Sequence, residues 1–277
     1  MKFSVLMSVY KNETPEHFTQ AMDSVLNQTL LPDEIILVRD GPVPTKLQKV
    51  INDYVKKNEI FTYIPLKSNG GLGNALNIGL KKAKYDVIAR MDTDDICVPN
   101  RFELQVKYME THKDISVCGG QIYEFIDNPK CPTGKREVPT SHRKICEYLK
   151  RRNPFNHMTV MFRKDAVINA GSYIELYLVE DYYLWCRMYL KGVKFGNLEQ
   201  ALVYARTGED MYRRRGGYKY FQSWKKLESF KVKNHITDRY YYISTLAMRF
   251  VVQVIMPNQL RGWVLKNFSR KRTEERN

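Results

Sequence analysis

The sequence predicts an α/β protein with a mostly parallel central sheet flanked by helices, followed by a helical, basic C-terminal extension. Three observations carry that expectation. Short apolar runs alternate with amphipathic helical spacing through the first half of the chain, the pattern of a parallel sheet with right-handed crossovers. One run, Val87-Ile88-Ala89-Arg90-Met91, opens directly into Asp92-Thr93-Asp94-Asp95. A buried parallel strand looks like this when its C-terminal end lies at a ligand site. Finally, positive charge gathers late: of the net +15, +11 falls from Arg206 onward, where 17 Lys/Arg face 6 Asp/Glu.

The elements follow in order. Lys2–Val9 is a strand, and Thr14–Asn27 a helix with apolar residues at Phe18, Ala21, Met22, Val25 and Leu26. Glu34–Val38 is the second strand, Thr45–Lys57 a helix, and Phe61–Pro65 the third strand. Gly73–Ala83 is a helix entered through Asn69-Gly70-Gly71, and Val87–Met91 is the fourth strand. Pro99–Thr111 is a helix with proline at its start. Beyond it, Ser116–Phe125 reads as a strand pair or a bent strand, Ser141–Lys150 as a helix, Val160–Arg163 as a short strand and Lys164–Asn169 as a short helix. Glu180–Lys191 is a helix, a strand lies near Ala201–Ala205, and Arg213–Lys233 has mixed helical character. Tyr240–Met256 has the spacing of an amphipathic or buried helix closed by Pro257. The domain division expected is 1–215, with halves 1–115 and 116–215, and an extension over 216–277.

Composition narrows the class. With 43% hydrophobic and 27% charged residues among 277, the chain is globular rather than disordered. Five cysteines are scattered without a Cys-x-x-Cys pair, which favours reduced thiols in the cytoplasm and argues against a zinc site. The N-terminus lacks the apolar length and cleavage site of a signal peptide. No apolar run approaches the ~18 residues that would span a bilayer. The basic excess admits nucleic acid, an anionic membrane surface or phosphorylated substrates as partners, or simply a solvated basic face.

Several clusters carry chemistry. Asp92 and Asp94 are two apart, so an extended backbone points both the same way. Converging carboxylates need a cation, and hard oxygen ligands suit Mn²⁺ or Mg²⁺, usually held together with substrate phosphates. An acidic turn is the alternative for that cluster taken alone. After the first strand, Ser8-Val9-Tyr10-Lys11-Asn12-Glu13 occupies the loop that contacts a nucleotide in such folds, where Tyr10 can stack on a base. Asp40, before Gly41, suits a base N–H or a turn cap. Asn69-Gly70-Gly71-Leu72-Gly73-Asn74 leads into a helix whose N-terminal N–H groups suit a diphosphate or ribose. Its glycines follow the third strand and not the first, which argues against a nicotinamide dehydrogenase. Glu180-Asp181 opens a helix, where acidic residues serve either the dipole or a proton-accepting role. His157 lies in a polar turn, and Arg213-Arg214-Arg215-Gly216-Gly217 reads as a mobile basic loop able to close on a diphosphate, or as an exposed basic turn.

The order of these motifs resembles the family 2 inverting glycosyltransferases of GT-A fold. The matching residues are Ser8-Val9-Tyr10-Lys11-Asn12-Glu13, Asp40-Gly41, Gly71 to Asn77, Asp92-Thr93-Asp94-Asp95 and Glu180-Asp181-Tyr182-Tyr183-Leu184-Trp185, over residues 1–215. Asn153-Pro154-Phe155-Asn156-His157 with Phe162-Arg163-Lys164 is similar to the bacterial polysaccharide-assembling members. The resemblance implies that Tyr10 and Asp40 hold uracil, that Asp94 is the closest metal ligand, and that Asp181 is the catalytic base. Together with the residue readings it places Tyr10, Glu13, Asp40, Gly71, Asn74, Arg90, Asp92, Thr93, Arg213 and Arg215 on the donor side. Glu180, His157 and Trp185 fall on the acceptor side. The Gln-x-x-Arg-Trp motif of processive synthases is absent, and with no multi-helix membrane region this favours transfer of one sugar.

The expectation is therefore a metal-dependent, inverting transfer from a nucleotide-diphosphate sugar to a glycan or lipid-linked acceptor. In the C-terminal quarter, Tyr240-Tyr241-Tyr242, Phe250-Val251-Val252, Trp263 and Leu265 interleave with Arg239, Arg249, Arg261, Lys266 and Arg270-Lys271-Arg272. That mixture suits peripheral contact with the inner face of the cell membrane. Two other classes compete. A nucleic-acid-binding protein leaves the acidic cluster unexplained, so no nucleic-acid partner is expected. A nucleotidyltransferase would want a Gly-rich basic loop after the first strand, where Asn12-Glu13 stands.

Overall fold

The computed structural model describes residues 1–208 and 215–257. Arg213, Arg214 and the basic segment 258–277 lie outside the described residues. In chain order the strands are β1 (Ser4–Val9), β2 (Glu34–Arg39), β3 (Phe61–Pro65), β4 (Val87–Asp92), β5 (Ile96–Cys97), β6 (Ile115–Phe125), β7 (Gly134–Arg136), β8 (Met161–Arg163) and β9 (Lys194–Arg206). The helices are α1 (Pro15–Leu26), α2 (Thr45–Lys57), α3 (Leu72–Lys82), α4 (Arg101–Thr111), α5 (His142–Leu149), α6 (Lys164–Asn169), α7 (Glu180–Leu190), α8 (Tyr218–Lys233) and α9 (Arg239–Phe250).

The strands form one sheet in the order β3-β2-β1-β4-β8-β6-β9-β5, with β7 on β6. The chain steps outward from β1 to β3, then returns to the other side of β1 to lay down β4. That reversal opens a crevice beyond the C-terminal ends of β1 and β4. The parallel register pairs Ser8 with Asp92, so the loop after β1 and the acidic cluster share one rim.

Alternation along the strands builds the core. Leu6, Ile36, Val38 and Ile88 face one way, against Leu76 and Leu80 of α3, Leu184 and Trp185 of α7, and Tyr220, Trp224 and Leu227 of α8. Val5, Met7, Ile35, Leu37, Ala89 and Met91 face the other way, against residues of α1, α2 and α4. This is the period-two signature of strands covered on both faces. Thr14 starts α1 by accepting from the His17 N–H (3.1 Å), with Pro15 in the first turn. Gly79 lets α3 lie close on the sheet, because a Cβ there would collide with Leu6 and crowd Val38 and Ile36.

The second half of the sheet adds detail. The sheet is parallel across β3-β2-β1-β4, but β4–β8, β8–β6, β6–β7 and β5–β9 are antiparallel. The whole sheet is therefore mixed. Ser116–Phe125 belongs to one strand whose pairing with β9 is broken by bulges near Val117 and Gln121, which bend it. The strand near Ala201–Ala205 extends over Lys194–Arg206. At the other end, α9 passes into a π-helical turn at Val251–Ile255. Among the described residues, no helix is long and apolar enough to cross a membrane. All five cysteines are free thiols.

Candidate active site

The acidic cluster ends β4 and enters the crevice. Ligand oxygens of Asp92, Asp94 and Asp95 all lie within 4.8 Å of one another. Asp92 and Asp94 keep exposed surface, whereas Asp95 is buried and accepts the Arg206 N–H at 2.7 Å. Burial, then Asp94 and Asp92, push the Asp95 carboxyl well above its ordinary range. Thr93 is buried and points back toward β1. Its hydroxyl donates to Glu13 Oε2 (2.9 Å) and lies 3.3 Å from the Ser8 carbonyl. Glu13 also accepts the Thr14 N–H at 2.9 Å. Burial and the nearby Asp94 raise its carboxyl to about 7. Glu13 and Thr93 thus strap the loop carrying Tyr10 to the acidic cluster. Tyr10 stands half-buried at the end of β1.

The glycine-rich loop is braced from β2. Asp40 Oδ1 accepts the Gly70 N–H (2.7 Å), and Oδ2 accepts the Gly71 N–H (3.1 Å) and Asn69 Nδ2 (2.8 Å). A carboxylate offers about four lone-pair sites, so three of them are spent on the loop. Asp40, itself 3% exposed, is therefore first a holder of this loop. Gly71 adopts φ +87°, and a Cβ there would come 2.9 Å from Glu175 Oε2. The positive φ is what requires glycine. Asn74 is exposed in the first turn of α3.

A second carboxylate pair opens α7. The segment before it is tied down at its start. Asn77 exchanges two hydrogen bonds with the Tyr173 backbone (2.6 and 2.9 Å), and Arg187 donates to the carbonyls of Ala170 (2.5 Å) and Ser172 (2.6 Å). Ser172 and Leu178 hold positive φ within it. Asp181 accepts Asn153 Nδ2 at 2.6 Å and its neighbour's Tyr182 N–H at 2.6 Å. Burial raises its carboxyl, opposed by those two hydrogen bonds and by the charges of Arg136 and Arg90. Glu180 is 8% exposed, and burial with the adjacent Asp181 raises it to about 8.

Arg90 stands between the two carboxylate sets. It is buried and ion-paired with Asp92, while its Nε and Nη1 find no partner among the described residues. Its charge is felt by Asp95 on one side and by Glu180, Asp181 and His157 on the other. Burial and Arg90 push His157 well below its usual range, so its ring is neutral, 3.0 Å from the Tyr173 hydroxyl. Trp185 was expected on the acceptor side. It is fully buried against Phe155 and behind His157, and a side chain without exposed surface touches no acceptor there. It packs in the core cluster with Leu184 and Phe155, one helical turn beyond Asp181.

Some members escape sequence reading. Arg136, on the three-residue strand β7, lies near enough to Asp181 to lower its pKa. Arg206 ends β9, with its side chain on the Asp94 carbonyl (3.1 Å) and Gln20 (2.6 Å). Asn153 was visible as part of the Asn153–His157 motif and its Asn-Pro dipeptide, but not as the partner of Asp181. Arg215 is exposed, and its charge reaches Arg136; Arg213 lies outside the described residues.

The donor set fits a divalent cation. Three hard oxygen ligands converge, two of them accessible. The model of glycosyl transferase family 2 matches residues 4–171. The amylovoran biosynthesis glycosyltransferase AmsE of Erwinia amylovora is 41% identical, over 91% of this chain and 96% of that protein. An Escherichia coli UDP-Gal:alpha-D-GlcNAc-diphosphoundecaprenol beta-1,3-galactosyltransferase is 36% identical, over 98% of this chain and 97% of its own. Among solved structures, the mannosyltransferase PcManGT of Pyrobaculum calidifontis, in complex with GDP-Man and Mn²⁺, superposes with TM-score 0.64 at 11% identity, over 96% of this chain and 73% of that one. The last likeness is one of fold, the GT-A nucleotide-sugar fold. With its family model covering more than half its length, and relatives of this identity along nearly all of it, the chain belongs to glycosyl transferase family 2 and is a glycosyltransferase.

Proposed function

We propose that this enzyme transfers a single sugar from a nucleotide-diphosphate sugar, a UDP-hexose, to a hydroxyl of a lipid-linked glycan acceptor. The transfer inverts the anomeric centre, depends on Mn²⁺ or Mg²⁺, and serves cell-surface polysaccharide assembly. The observation that carries this reading is the pairing of two carboxylate sets across Arg90, one at the strand end and one opening α7. The E. coli relative's printed donor and acceptor favour UDP and a lipid diphosphate.

The roles follow from placement. Tyr10 and Asp40 flank the base, and Gly71 and Asn74 offer the α3 N-terminus to the diphosphate. Asp94, with Asp92, would hold the cation, whose Lewis acidity stabilises the departing diphosphate. Arg90 fixes Asp92 and keeps positive charge between the donor and acceptor sides. Asp181 takes the proton of the acceptor hydroxyl as that oxygen forms its bond to the anomeric carbon and the bond to the diphosphate breaks. Glu180 and His157 border the acceptor, and Arg215 lies on the exposed side toward Arg136. On α9 and its π-helical turn, Tyr240, Ile243, Met248, Val251 and Ile255 are exposed. Near so basic a segment, that apolar face suits the cytoplasmic leaflet of an anionic membrane.

A thermal-shift panel of UDP, GDP, dTDP and CMP with their sugars, with Mn²⁺ or chelator, tests the donor reading. Ligand bound only to the folded state must raise Tm. A UDP-specific shift lost on chelation is expected; no shift with any nucleotide would overturn the reading.

A further inference from the structure

Beside α5, two adjoining hollows of about 460 and 410 Å³ share Lys150 and Arg151. Arg152 and Tyr148 complete the first. His235 and Thr237, from the turn between α8 and α9, and Tyr241 of α9 wall the second. Lys150, Arg151 and Arg152 are exposed, and among the described residues none forms an ion pair with a carboxylate. Two carboxylates border the hollows. Asp238 is occupied as the α9 cap, accepting the Tyr241 N–H at 2.7 Å, and Glu147 lies exposed on α5. Thr237 Oγ1 is buried without a hydrogen-bond partner among the described residues. His235 holds φ +57°, a conformation that a non-glycine residue keeps only where its surroundings impose it.

Position gives these hollows meaning. Arg152 is followed directly by Asn153, whose amide holds the Asp181 carboxylate at 2.6 Å. On the far side Tyr241, whose hydroxyl donates to the Arg151 carbonyl at 3.0 Å, stands next to Tyr240, where the exposed apolar face of α9 begins. Through Asn153 and Tyr241 the basic hollow is therefore linked to the base on one side and to the start of α9 on the other. A lipid-linked acceptor presents its parts in the same order: attacking hydroxyl, diphosphate, hydrocarbon chain.

We propose that the Lys150–Arg152 hollow binds the diphosphate of a prenyl-linked acceptor and that the α9 face receives the start of its chain. This rests on the lipid-linked acceptor reading above. A doubly charged diphosphate is complementary to these three exposed cations.

Titration calorimetry with farnesyl diphosphate tests it, with UDP and Mn²⁺ saturating the donor site. The wild-type protein should bind, and Lys150→Ala/Arg152→Ala should weaken Kd at least tenfold while leaving the UDP thermal shift unchanged. Inorganic pyrophosphate should bind more weakly than farnesyl diphosphate, and farnesol should not distinguish variant from wild type. Wild type that shows the UDP shift but no farnesyl diphosphate binding would overturn the proposal, as would equal binding by the variant. Pyrophosphate binding as tightly as the prenyl compound would overturn the lipid assignment. Should the double variant lose its UDP shift through misfolding, the exposed single variants Lys150→Ala and Arg152→Ala carry the same comparison. Absence of a UDP shift in wild type strikes the donor reading and leaves this binding result to stand or fall by itself.

Discussion

Asn153 donates a 2.6 Å hydrogen bond from Nδ2 to Oδ2 of Asp181, joining the turn before β8 to the first turn of α7. The bond aims the carboxylate and favours its charged form. Burial works against that charge and is the larger effect, so the carboxyl titrates above its ordinary value. A base acts only when deprotonated, so activity is lost as pH falls through this raised pKa.

The first prediction concerns that limb. The acid limb of kcat/KM should lie above the usual aspartate value of about 3.9. Asn153→Ala removes a bond to the charged form and should shift the limb further up, with kcat lowered about tenfold or more at neutral pH. A pH–rate profile of both proteins checks this. An unmoved limb would show that Asn153 does not tune the titrating group.

Glu180 gives a stability prediction. Its folded pKa of about 8 exceeds the usual 4.5, because burial and Asp181 disfavour its charge. The protonated acid is tolerated inside, so stability is fully present below about 4.5 and is lost as pH rises through about 8. Glu180→Gln keeps the shape without the charge. It should stabilise the protein by about 1–3 kcal/mol above pH 8 and change little near pH 4. Thermal melts across this range decide it, and a pH-independent difference would contradict it.

Asp40 should behave as a brace. Asp40→Ala leaves the Gly70 and Gly71 N–H groups and the Asn69 amide without their acceptor. Stability should fall by about 2–4 kcal/mol, and UDP affinity should weaken as the loop loosens. Asp40→Asn, which keeps an acceptor oxygen, should lose less. Denaturant titration with UDP binding separates the two variants; wild-type values for Asp40→Ala would contradict the brace.

Asp94→Ala and chelation should act alike. If the cation is held mainly by Asp94, each should abolish metal-dependent donor binding, and together they should do no more than either alone. A variant that keeps a metal-dependent UDP-sugar shift would move the metal's main ligand elsewhere in the Asp92–Asp95 cluster.

Much of this architecture was legible in the residues, for physical reasons. Strands β1, β2 and β4 are buried on both faces, so Val5 to Met7 and Ile35 to Val38 read as continuous apolar runs, with the helices between them marked by periodic spacing. The acidic cluster at the end of β4 was visible because topology puts ligands there. Strands β5 and β7 were not legible. With two and three residues they have no local pattern and exist through pairing with β9 and β6. For the same reason Arg136 was invisible: its nearness to Asp181 is a tertiary fact. Asp40 was legible as a polar end to β2 but not as the brace of a loop some 30 residues on. Trp185 was misplaced because motif order says nothing about which way a helix faces.

The most direct test of the account is turnover by Asp181→Asn, measured alongside UDP-sugar binding. The substitution keeps the size and a hydrogen-bonding oxygen but removes the base. The account predicts that kcat falls by about 10²–10⁴ while the UDP-sugar thermal shift is retained. Normal turnover with retained binding would contradict the assignment of Asp181 as the base.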